Sequence, residues 1–174
     1  MRTKLNRKTL VISSISVEHE HDPYPDTSCI GEWTDKPDEW VIDRRSGEYI
    51  ALLPDDYKLP NTGRKYRFFR PYAGGEKPGT TTYQEYGKRD WERLENLERG
   101  QWMYIGIVAR AIIVVNGVTQ ALSSGGLWGV ESDGGPEYLA EIRREEMGSL
   151  RTILQQLGFS HQAISAAFKK CQTR

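Results

Sequence analysis

Two histidines one residue apart, His19 and His21 in "VEHEHDPYPD", have the types and spacing of a divalent-metal pair. On a strand, alternation puts both with Val17 on one face and Glu18, Glu20 and Asp22 on the other. With a carboxylate from elsewhere, the imidazoles would bind zinc without any cysteine and allow metal-dependent hydrolysis. The same residues also read as a charged strand end running into a proline-rich turn, and the third histidine, His161, lies near the other end of the chain. The second reading is the one expected, with no metal and no cofactor.

The stretch "SSGGLWGVESDGGPEYL", residues 123–139, has the glycines of a phosphate loop. Such a loop aims backbone N–H groups at an anion, usually beside a Lys or Arg. Here Glu131, Asp133 and Glu137 surround the helix start, and the next cation is Arg143. Those acids can answer the positive end of the helix dipole, with Asp133 capping and Pro136 in the first turn. The expectation is a corner that caps its own helix, with Trp128 in the core. Ser123 and Ser124 lack the Gly-x-Ser-x-Gly turn of an activated nucleophile.

Three further stretches suggest binding. In "GRKYRFFRPY", Arg64, Lys65, Arg67 and Arg70 interleave with aromatics, a pattern that can follow a nucleic-acid backbone while rings stack on bases. The alternative is an internal complement to residues 18–48, which hold ten acids against three bases. In "LQQLGFSHQAISAAFKKC", the turn at Gly158 between two helical runs has the form of a helix-turn-helix. His161, Gln162 and Ser165 would then face a groove, and Lys169 and Lys170 a phosphate. A plain helical hairpin packed by Leu157, Phe159, Ile164 and Phe168 explains the same letters. In "GEWTDKPDEW", two tryptophans sit among four acids: Glu32, Trp33, Asp35, Asp38, Glu39 and Trp40. As a surface they would engage a basic partner with aromatic anchors; as core, the tryptophans would not be available.

The elements that must position these residues read as strands first and helices after. "TLVISSISVEHEH", "EWVIDR" with "EYIALLP", and "RKYRFFR" read as strands; residues 84–99 read as an amphipathic helix ending at Gly100. "WMYIGIVARAIIVV", "NG" and "VTQAL" read as a long hairpin, because Asn-Gly suits the positive φ angles of a two-residue turn. A long helix begins at Pro136 and stops at Gly158, and a short one follows Ser160 to about Lys170. The predicted fold is α+β: an antiparallel sheet of hairpins with an amphipathic helix and a C-terminal helical hairpin packed on one face.

With 174 residues, one domain spanning 1–174 is expected. Zero formal net charge names no partner, and no signal peptide is visible. The longest apolar run, residues 103–115, contains Arg110 and is too short for a bilayer, so no membrane association is expected. Cys29 and Cys171 form no motif and suit a reducing cytoplasm.

"CIGEW", "VIDR", "RFFRPY", "WMYIGIVARAIIVVNGVTQALSSGGLWGVESD" and "YLAEIRREEMGSLRTILQQLGF" together resemble a group of small proteins of unassigned function encoded by bacteriophages and other mobile elements. The likeness covers most of residues 29–159. It implies the cytoplasm of a bacterial host and a partner among host or defence-system proteins, such as a restriction or CRISPR nuclease. The leading expectation is a non-enzymatic binding protein acting through the acidic and aromatic residues 32–40. A DNA-binding regulator and a metal-dependent hydrolase are the alternatives.

Overall fold

The computed structural model describes residues 10–35, 40–50 and 67–171. It is α+β, as expected, but has two four-stranded antiparallel sheets in place of one. Where one domain was expected, the chain divides into two compact units: Met1–Pro25 with Met103–Arg174, and Asp26–Trp102.

The first unit is discontinuous in sequence. Strand β1 (Leu10–His21) pairs antiparallel with β6 (Tyr104–Val115) along its whole length. Its register slips by one residue between Ile12 and Ser14. A bulge there has a use: spacing of two, three and two residues keeps Leu10, Ile12, Ile15 and Val17 on one face, where all four pack against the core. Beyond β6, β7 (Val118–Ser123) and β8 (Leu127–Glu131) share its other edge. The β6–β7 turn is made by Asn116 and Gly117 with φ of 52° and 85°, the paired positive angles predicted for it.

Helix α2 (Pro136–Gln156) covers the odd-numbered face of β6, and α3 (His161–Cys171) packs on the same side of the sheet against β1. Ala109 and Ala111 are small enough to let Leu150, Leu154, Ile164 and Phe168 approach, and all are buried. Each buried leucine side chain contributes about 2 kcal/mol by area. Gly158, at φ 90°, ends α2: its N–H reaches the Gln155 carbonyl at 2.9 Å and the Phe159 N–H reaches the Leu154 carbonyl at 3.2 Å. Phe159 and Leu154 share the core, completing the paired-hydrogen-bond stop with its apolar contact. Leu157, expected to pack this hairpin, is 48% exposed, because it lies at the cap rather than on the buried stripe.

The second unit has strands β2 (Gly31–Thr34), β3 (Val41–Asp43), β4 (Tyr49–Ile50) and β5 (Phe68–Pro71) in the order β2-β5-β3-β4. Consecutive Phe68 and Phe69 are both fully buried, so β5 is covered on both faces. Helix α1 (Thr81–Glu98) packs on β5 and starts three residues earlier than predicted, because the Thr80 hydroxyl accepts the Tyr83 N–H at 3.2 Å. The β3–β4 hairpin forms as predicted where it is described.

Candidate functional sites

The glycine-rich corner is partly a strand. Residues 127–131 form β8 on β6, and Trp128 is 45% exposed rather than in the core. Its indole lies on the bare backbone of Gly106, where a Cβ would stand 2.5 Å from the ring. The flat apolar seat is on the sheet surface, which corrects the expected burial. Helix α2 is entered from Gly135, which has no side chain to cap it, and Pro136 and Glu137 occupy the first turn as expected. The Ser124 hydroxyl accepts the Ala109 N–H at 3.0 Å and Ser123 sits opposite Arg110, so both serines serve the sheet.

His19 stands on β1 across from Ile107, and its Nε2 accepts from Arg143 at 2.9 and 3.1 Å. Burial, then the Arg143 charge, lowers its pKa, which keeps the ring neutral for that contact. The guanidinium occupies Nε2, one of the two ring nitrogens a metal could use. His21 is exposed two residues on, and Glu18 and Glu20 pair with Arg110 instead. Among the described residues no group of three or more His, Cys, Asp or Glu side chains could hold a metal ion.

Of the basic strand, Arg64 and Lys65 lie outside the described residues. Arg67 meets Asp43 at 2.8 Å and Arg70 pairs with Glu32, so both complement acids within their own unit. Burial opposes the Asp43 charge, but the Arg67 hydrogen bond, the Arg45 N–H and both cations outweigh it and hold its pKa below the usual value.

In the acidic and aromatic stretch, Asp38 and Glu39 lie outside the described residues. Glu32 and Asp35 are exposed, whereas Trp33 and Trp40 are half-buried. The Trp33 ring packs 5.2 Å from Phe69 with the Arg44 guanidinium 4.2 Å over it. Trp40 is held at φ 65°, a strained angle for a bulky residue. Its N–H donates to Ile50 and its carbonyl accepts from Tyr83. The Trp40 ring lies against Gly79, where a Cβ would stand 2.8 Å from it, so both rings are tied into their unit's packing.

At the C-terminus, Ser160 caps α3 through the Ala163 N–H at 3.2 Å. Ile164 and Phe168 are buried in the core beside β1, His161 and Gln162 are exposed at the start of the helix, and Lys169 and Lys170 at its end.

A feature the residue types alone did not reveal runs beside β1. Among the described residues that strand pairs only with β6, leaving its outer edge open. A groove of about 840 Å³ follows that edge from Leu10 to Ser16, and its other wall is α3, through Ala163, Ala166 and Ala167. Seven successive strand residues line it, so the groove meets the backbone edge rather than one face. The alanines were legible; that they face a strand edge was not.

Among the described residues no helix is long and apolar enough to cross a membrane. Compared with models of known families, with curated protein sequences and with solved structures, the chain finds no match.

Proposed function

We propose that the protein acts by binding another protein, whose partner segment adds in extended form to the open edge of β1. One observation carries this: among the described residues the edge is unpaired, along a groove walled by small residues. A strand laid there would gain main-chain hydrogen bonds from β1 and side-chain contacts with the alanines of α3. The groove fits a segment with small or apolar side chains at alternate positions, since among the described residues no acid and only one base, Lys170, line it. A second copy of β1 fits less well. Two such strands would lie roughly 4.8 Å apart, and the α3 helices overhanging each edge would then collide on one face, where helices need about 8–10 Å.

The resemblance to phage and mobile-element proteins suggests a host or defence-system protein as partner. The acidic stretch Glu32, Asp35, Asp38 and Glu39 is the competing surface. The test begins with a partner captured from host cells and compares Ala166→Arg, which fills the groove from an exposed position, with a variant neutralising the four acids. Binding weakened at least about tenfold by Ala166→Arg alone, with β1 amides gaining hydrogen-exchange protection, is the expected result. Loss only on neutralising the acids would move the interface to the second unit. A concentration-dependent dimer abolished by Ala166→Arg would assign the edge to a second copy; either outcome overturns the proposal.

A further inference from the structure

Three guanidinium groups on α2 line one groove, and among the described residues none of them meets a carboxylate. Arg44, Arg67, Arg70, Arg99 and Arg110 each meet a carboxylate. Arg143, Arg144 and Arg151 form no ion pair among the described residues, although α2 also carries Glu137, Glu141, Glu145 and Glu146. Arg143 contacts neutral His19, Arg151 lies 4.6 Å over the Phe168 ring, and the exposed Arg144 side chain has no hydrogen bond among the described residues. All three line one groove of about 820 Å³ within the first unit, bounded by α2, β1 and α3.

The arrangement follows from helical spacing. Ala140, Arg144, Met147 and Arg151 recur at intervals of four, three and four, which aligns them along α2, with Arg143 at the flank toward β1. Ala140 and Gly148 are too small to fill the space beside them, and Val17, Met147 and Phe168 supply an apolar floor. Among the described residues no Asp or Glu lines the groove. Three like charges on one helix face repel one another, and an anion would relieve that repulsion.

From this geometry we infer a binding site for a small ligand carrying two or more phosphates, with a nucleoside triphosphate as the matching size. Arg144 and Arg151 are seven residues apart, about 10 Å along the axis, so their forks span more than one phosphate group. Guanidinium N–H groups match phosphate oxygens in pairs. A single carboxylate would leave most of the positive charge unanswered. The groove volume is in the range of small-molecule sites, and the Met147 and Phe168 floor gives the uncharged part of the ligand an apolar surface. His19 is a positioning residue: its contact orients Arg143 toward the groove.

The test is calorimetric titration of the full chain with adenosine and guanosine triphosphate, beside inorganic phosphate, a short single-stranded DNA and a short duplex. Expected are micromolar binding of a triphosphate, much weaker binding of inorganic phosphate, and a loss of about tenfold for each of Arg144→Gln and Arg151→Gln. Arg144→Gln should leave the unfolding temperature unchanged, because the native side chain is exposed and has no partner among the described residues. His19→Ala should weaken binding less than either arginine change, and His19→Gln, which keeps an acceptor, should restore part of it. Triphosphate binding unaffected by the arginine variants would overturn the site, as would no binding at all. Inorganic phosphate binding equally well would overturn the ligand size. Tighter binding of either DNA would replace the small ligand with a nucleic-acid backbone.

Discussion

Replacing Gly87 and Gly148 by alanine should change stability in opposite directions, although both lie inside helices. Alanine gains about 1 kcal/mol over glycine in a helix interior. At Gly148 nothing stands within 4 Å of the new methyl, so that gain is realised. The expected rise is about 2–4 °C. At Gly87 the methyl would overlap the Tyr49 hydroxyl and stand 2.7 and 3.0 Å from Pro71 Cγ and Cβ, where carbon contacts prefer about 3.5–4.0 Å. Relief requires α1 to lift from β5 or Tyr49 to leave the carbonyls of Tyr83 and Gln84, which its hydroxyl approaches at 3.3 and 3.1 Å. Overpacking of this kind costs about 1–3 kcal/mol, and the lost hydrogen bond about 1 more. After the helical gain is subtracted, Gly87→Ala should destabilise by about 1–3 kcal/mol. Urea and thermal unfolding at pH 7 would measure both variants, and adding Tyr49→Phe to Gly87→Ala should recover part of the loss as a coupling term. A Gly87→Ala protein as stable as the wild type would refute the close approach of α1 to the sheet.

Asp43 should make stability depend on acid. Its pKa is lowered in the folded chain, so its contribution is fully present above the unfolded value of about 3.9 and is lost as pH falls through the folded value. Asp43→Asn should therefore cost about 2 kcal/mol at pH 7 and progressively less below pH 4 by urea unfolding; a difference independent of pH would reject the Arg67 pairing as its cause. Gly117→Val should destabilise by about 1–2 kcal/mol, since a branched side chain is strained at φ 85°, and Asn116→Gly should be nearly neutral; equal effects would reject the turn geometry.

The local elements were legible because their signals are local. The Asn116–Gly117 turn, the stop at Gly158, the Ser160 cap and the buried stripe of Leu150, Leu154, Ile164 and Phe168 all depend on residues a few positions apart. The pairing of β1 with β6 does not: Val17 and Ala109 meet across the whole intervening unit, and no alternation within either segment names its partner. The bulge hid the face of β1, since the step from Ile12 to Ile15 breaks strict alternation although both side chains reach the core. Trp128 was misplaced for a related reason. Its size favours a core, but the missing side chain at Gly106 offers an apolar seat on the surface.

The basic groove shows why composition concealed the site. In "EIRREEMGSLR" acids and bases alternate so evenly that the helix reads as a solvated face with internal pairs. Folding separates what the sequence mixes: Arg143, Arg144 and Arg151 line the groove beside β1 and α3, and none of the glutamates does. A segment nearly neutral when summed thus presents three cations to one cavity. The zero net charge of the chain could exclude an overall electrostatic attraction to polyanions, but it carried no information about a local one. Net charge is a property of the sum, whereas an anion is recognised by guanidinium forks within a few ångströms, whose placement is set by the helix phase and by the neighbours packed against it.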